Sequence, residues 1–173
     1  LNPILRHINA MDSRVVYPYF FMMLEMASTG EVSQDNVVEV ARIMESYLFR
    51  LKACQLPTNG LNRMVIALCD KTKAAGDYRA RLVSLLNTSF PDDKKFADSL
   101  MNVNLYSLRN NLAKLALVVL EESRTKETID FDDAQVEHIM PQRLNNDWRI
   151  ELPNANRINE ELGGVIGNLT LTK

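Results

Sequence analysis

Cysteine is scarce in this sequence. Among its 173 residues there are two, Cys54 and Cys69, each in a helical apolar pattern. Neither has a second Cys or a His at ligand spacing, which argues against a disulfide framework and a zinc site. Buried, reduced thiols of a cytoplasmic protein are the expected state. No apolar run approaches the roughly 20 residues that span a bilayer. Phe20-Phe21-Met22-Met23-Leu24 is short and amphipathic in context, so it reads as core helix and no membrane partner is expected. A secretory signal pattern is missing, as are internal repeats and low-complexity segments. An excess of positive charge is missing too. The net charge is −2, a poor fit to an autonomous nucleic-acid binder, which presents a basic surface. A DNA-directed role would draw backbone affinity from local arginines or from other parts of the protein. The first residue is Leu1 rather than Met, as expected of a piece excised from a longer chain.

What is present divides into two grammars. The first three-quarters reads as successive amphipathic helices. Val15 to Met26 carries apolar residues over most of a helical face, with Pro18 near its start, where proline is tolerated, and Thr29-Gly30 at its end. Ser33 is a good N-cap for a helix whose Val37, Val40, Ala41, Met44, Tyr47, Leu48 and Leu51 follow three-to-four spacing until Pro57. Thr58 or Asn59 opens a helix through Leu61, Met64, Val65 and Leu68. Ala80 to Leu86 is a further short helix, and Phe96, Leu100 and Met101 mark another after Pro91. Tyr106 to Leu120 is strongly helical, with Leu112, Leu115, Ala116 and Val119 as its buried stripe. Met22, Met23, Met26, Met44 and Met64 read as core filler. His7, in a polar helix, is expected to be solvated.

The pattern breaks over the charged stretch Glu121 to Asp133, where a domain boundary is expected. Beyond it, Val136, His138 and Met140 alternate with Glu137 and Ile139 as a short strand stopped by Pro141. Asn145-Asn146-Asp147 and Pro153-Asn154 are turn material. Asn154 caps a short helix to about Leu162, stopped by Gly163-Gly164. Val165 to Thr172 reads as a second strand, with Gly167 at a bend or bulge.

The chemistry-bearing residues lie in this last part. A neutral histidine can take a proton from water near pH 7, and a divalent cation can offset charge on a phosphate. Glu137 and His138 are neighbours on a strand, so their side chains leave on opposite faces. That suits Glu137 to a metal and His138 to the water. Hard oxygen ligands favour Mg²⁺ or Mn²⁺ over zinc. Asn168 can fix the loop or the histidine through side-chain to backbone hydrogen bonds.

Glu137-His138-Ile139-Met140-Pro141-Gln142, followed by Trp148 and then by Leu162 to Leu171, resembles the C-terminal HNH-type (ββα-metal, His-Me finger) domain of GmrSD-like type IV restriction enzymes. These are modification-dependent DNA endonucleases of bacterial antiphage defence. The string also resembles the HNH domain of RNA-guided CRISPR nucleases. Tyr47-Leu48-Phe49-Arg50, Pro57 to Asn62 and Leu112 to Glu121 resemble the segment that joins the N-terminal ParB-like domain to the nuclease domain. The resemblance implies that His138 is the general base, Glu137 a metal ligand and Asn168 the asparagine that organises the loop. It implies a second metal ligand on a helix after the second strand, so a further ligand is expected beyond Lys173. It implies double-stranded DNA, modified or not, as substrate, and a ParB-like nucleotide-binding domain of the same parent as partner. No nucleotide site is expected in this chain.

The expected fold is therefore mainly α: a helical scaffold over residues 1–122, then a partial ββα-metal module over 130–173 without its final helix. Two strands without a covering element are marginal in water. Arg143, Arg149 and Arg157 are candidate phosphate contacts, with surface ion pairs to Glu151, Glu160 and Glu161 as the alternative. The functional expectation is an antiphage DNA endonuclease whose activity this chain does not reach alone. The alternative is a helical coupling or self-association domain with a vestigial histidine motif.

Overall fold

A computed structural model describes residues 1–72, 77–125, 130 and 132–172. The chain folds as two compact units, Leu1–Asp92 and Asp93–Lys173.

The first unit is helical. It comprises α1 (Asn2–Ala10), α2 (Tyr17–Ser28), α3 (Gln34–Ala53), α4 (Leu61–Thr72) and α5 (Tyr78–Leu86). Helix α3 is its axis: α1, α2 and α5 all pack against it. The Ser33 side chain accepts from the Asn36 N–H at 3.1 Å, as an N-cap does. Every apolar position expected on the α3 stripe, from Val37 to Leu51, is buried. The Val, Leu and Met side chains among them each contribute roughly 1.5–3 kcal/mol when fully buried. The helix stops at Ala53, ahead of Pro57, because Gln55 turns the backbone left-handed at φ 53°. Asp77 caps α5 by accepting from the Ala80 N–H at 2.9 Å.

Three details of this unit differ from the sequence reading. Met22, Met23, Met26 and Met44 are buried, but Met64 is half-buried. Phe21 faces outward while Phe20, Met22 and Met23 face inward, because one helix can turn only part of its surface to α3 and α4. His7 is not solvated. Its Nδ1 meets the Glu45 carboxylate and joins α1 to α3, a partner that no local pattern in α1 reveals.

The second unit comprises α6 (Asp93–Asn102), a 3₁₀ turn (Leu105–Ser107), α7 (Leu112–Arg124), β1 (Gln135–His138), α8 (Asn146–Glu151), α9 (Ala155–Leu162), a second 3₁₀ turn (Ile166–Asn168) and β2 (Leu169–Thr172). The strands pair antiparallel, with Gln135 opposite Thr172, Val136 opposite Leu171, Glu137 opposite Thr170 and His138 opposite Leu169. Helix α7 packs on both strands. Its buried Leu112, Leu115, Ala116 and Val118 share a unit with buried Met140, Val165 and Leu169.

The expected boundary at 122–130 therefore falls inside this unit, and the boundary of the units lies at 92/93. The apolar stripe of α7 finds its partner in the sheet, so α7 cannot be assigned to the helical body alone. Charge at Glu121 to Arg124 marks the exposed end of a helix rather than a linker. The rest of that stretch includes 126–129 and 131, which lie outside the described residues. Helix α7 also starts six residues later than expected. Asn110 and Asn111 are left-handed, at φ 70° and 51°, and asparagine tolerates that region. Val119 is exposed and Val118 buried in its place. An open groove of about 390 Å³ lies between α7 and β2, lined by Leu117, Leu120, Arg124 and Leu169 to Thr172.

Both strands are shorter than read. Residues expected at the end of the first strand and the start of the second form the turn described below. Asn145, taken as turn material, caps α8 by accepting from the Trp148 N–H at 3.1 Å. Among the described residues no helix is long and apolar enough to cross a membrane.

Candidate active site

β1 ends at His138, and the segment after it is held by backbone and side-chain amides. The Ile139 N–H donates to the Asn168 carbonyl at 2.9 Å, the last rung in line with the strand pairing. The Met140 N–H donates to Asn168 Oδ1 at 2.8 Å, and Asn168 Nδ2 donates back to the Met140 carbonyl at 3.1 Å. The same Nδ2 donates to the Gly163 carbonyl at 2.8 Å. Asn159 Nδ2, from α9, donates to the Pro141 carbonyl at 3.0 Å. Each peptide unit from Ile139 to Pro141 thus has a fixed partner. At a net contribution of about 1 kcal/mol per bond, these bonds together fix the turn.

The His138 imidazole lies in a half-buried position. The Tyr106 ring and the imidazole meet in an edge geometry, with centroids 4.4 Å apart and planes at 77°. Gln142 Nε2 lies 3.4 Å from His138 Nε2. Glu137, one residue earlier, is exposed, as the alternation of the strand requires.

Asn168 and His138, both singled out from the sequence, are brought together through the turn. The arginines are not. Arg143 lies in the segment after the turn, Arg149 on α8 and Arg157 on α9; all three are exposed, and none has an ion-pair partner among the described residues. Three contributors were missed. Tyr106 was read as the start of a helix. Asn159 carried no local signal beyond its place in a short amphipathic helix. Gln142 was part of the string but had no role assigned.

A divalent cation was expected at Glu137. Among the described residues no group of three or more His, Cys, Asp or Glu side chains could hold a metal ion. Mg²⁺ sites combine carboxylates with waters and substrate phosphates, and Glu137 is a single exposed carboxylate. These residues do not by themselves make a complete site.

Residues 90–173 match the family model of the C-terminal domain of the GmrSD restriction endonucleases. The second unit of the chain is similar to that family. The match begins within three residues of the structural boundary at Asp93 and covers the whole of the compact unit that carries His138. No curated protein and no solved structure matches the chain. The match relates this unit to restriction endonucleases, and DNA is the substrate that a nuclease domain implies. Residues 1–89, including the Tyr47 to Asn62 stretch that resembles the joining segment, lie outside the match.

Proposed function

We propose that this chain is part of a metal-dependent HNH-type DNA endonuclease of the type IV, antiphage kind, in which His138 is the general base for phosphodiester hydrolysis. The observation that carries the reading is the amide clasp of Asn168 on Met140, which fixes the backbone immediately after His138 from a residue thirty positions away. A general base must be held in place before it can act on a bound water. In this reading Gln142 sits at Nε2 of His138 and leaves Nδ1 to take the proton. Glu137 supplies one oxygen ligand for Mg²⁺ or Mn²⁺, and the remaining ligands come from outside the described residues. The metal would supply charge neutralisation at the phosphate. Arg143, Arg149 and Arg157, exposed and without ion pairs, are available to DNA phosphates. A ParB-like nucleotide-binding domain is the expected partner within the parent protein.

The test is His138→Ala in the parent nuclease. Cleavage should fall by about 10²–10⁴, with folding and DNA binding retained. Cleavage within a few-fold of wild type, on the scale of that loss, would remove His138 from the chemistry.

A second reading concerns the helical unit Leu1–Asp92, which would act as a coupling or self-association domain. It is favoured by Phe21 and Ile66, 67% and 62% exposed on that unit. Sedimentation of the chain with Phe21→Ser and Ile66→Ser tests it: an unchanged mass distribution argues against self-association through these residues.

A further inference from the structure

We infer that Tyr106 is a positioning residue for His138: its ring forms the wall that holds the imidazole in one orientation. The inference rests on the reading of His138 as general base, and it adds a residue that no part of the histidine motif contains.

The argument starts from the division of work within the turn Leu105–Ser107. Leu105 is fully buried and anchors the turn in the core. Asn104 caps it, its Oδ1 accepting from the Ser107 N–H at 2.9 Å and its carbonyl from the Ser107 hydroxyl at 2.9 Å. Tyr106 is not needed for that anchoring, since it remains 44% exposed. Its ring nevertheless stands 4.4 Å from the imidazole in an edge geometry, the favoured arrangement for two aromatic rings.

The backbone fixes that ring from the same place that fixes the asparagine. The Tyr106 N–H donates to the Gly164 carbonyl at 3.2 Å, and the adjacent Gly163 carbonyl accepts from Asn168 Nδ2 at 2.8 Å. Two successive carbonyls at the end of α9 therefore hold the tyrosine and the asparagine. Asn168 holds Met140, and His138 precedes it by two residues. The circuit closes through the ring contact. Glycine at 164 leaves room for this approach, because a Cβ there would overlap the Asn104 side-chain amide and displace it. A histidine at a strand end, half-buried and without a buried hydrogen-bond partner of its own on every side, keeps rotamer freedom unless something blocks it. The tyrosine ring blocks it on one side and Gln142 meets its Nε2 on another.

The experiment uses histidine side-chain NMR on the 173-residue chain, which has two histidines, so His7 is an internal control. Wild type and Tyr106→Phe should show one set of His138 χ1 couplings and cross-relaxation between the two rings. Tyr106→Ala should show averaged couplings, with His7 unmoved. The parent nuclease supplies the second readout: Tyr106→Ala should lower kcat by roughly 10- to 100-fold, the scale of a misplaced group, with KM changed by no more than about twofold, and Tyr106→Phe should restore kcat. If Tyr106→Ala does not fold, Tyr106→Leu removes the flat wall while keeping apolar bulk. Couplings in Tyr106→Ala or Tyr106→Leu identical to wild type would overturn the inference. So would a kcat loss that Phe does not restore, which would assign the work to the hydroxyl. Should His138→Ala cleave normally, the base reading fails, while the NMR comparison still decides whether Tyr106 orients His138.

Discussion

Asn168 and Met140 are joined as two residues of an antiparallel pair are joined, but through a side chain. The Met140 N–H meets Oδ1 at 2.8 Å and the Met140 carbonyl meets Nδ2 at 3.1 Å. The backbone ladder of β1 and β2 ends one step earlier, where the Ile139 N–H reaches the Asn168 carbonyl. The carboxamide extends the sheet by one rung without extending the strand. The chain is thereby free to turn at Pro141 while His138, just before the turn, stays fixed. Only asparagine offers an acceptor and a two-hydrogen donor at this reach, which is why it can serve Met140 and Gly163 together.

Asn168→Ala should destabilise the second unit by about 2–3 kcal/mol, since it removes three hydrogen bonds and leaves the Met140 N–H unpaired. Asn168→Asp should cost at least as much. It keeps the acceptor for Met140 but sets a second oxygen against the Met140 and Gly163 carbonyls. Urea unfolding of the three proteins checks both; an Asp variant as stable as wild type would contradict the donor role of Nδ2.

Gly164→Ala should cost about 1–3 kcal/mol, the usual range for forcing atoms into a filled site. The new methyl overlaps the Asn104 amide and pushes on the turn that carries Tyr106. Gly167→Ala has nothing within 4 Å of the added methyl and should be tolerated within about 0.5 kcal/mol. Thermal melts of the two variants compare a crowded glycine with an open one.

Lys52 predicts a pH dependence in the first unit. Burial pushes its amine below the ordinary lysine value, and the Asp12 carboxylate partly opposes the shift. The charged form is therefore disfavoured in the folded state. That penalty is present at neutral pH and disappears as pH rises through the lowered value toward the ordinary one, where the unfolded chain binds more protons than the folded chain. Lys52→Met should raise stability at pH 7 and remove this alkaline gain. Asp12→Asn should deepen the penalty. Denaturant midpoints across that range decide it, and a Lys52→Met protein less stable at pH 7 would reverse the sign.

Helix α7 and β2 should lose amide protection together as denaturant is added. Both belong to the unit Asp93–Lys173, and the sheet has α7 as its cover. Cooperative units open as one. Strands that exchange well before 112–124 would make the two-stranded sheet an appendage after all.

The 173-residue chain by itself should cut plasmid DNA little or not at all with Mg²⁺. Glu137 is the one carboxylate assigned to the ion, and Mg²⁺ gives up its waters reluctantly. Robust cutting that a chelator abolishes would show that this chain completes the site.

The sequence alone determined whatever depends on period and neighbouring residues. The α3 stripe from Val37 to Leu51, the Ser33 cap and the alternation that sends Glu137 and His138 to opposite faces were all legible there. Each follows from the fixed repeat of a helix or strand, or from a side chain reaching its own backbone a few residues away. Only the tertiary structure decided what depends on distance in sequence. It set the boundary at 92/93, because the partner of α7 is a sheet whose second strand lies some fifty residues later. It paired His7 with Glu45, placed Asn159 under Pro141, and stood Tyr106 against His138. Such contacts leave no periodic trace, since either partner alone reads as an ordinary surface or helix residue until the fold brings the two together.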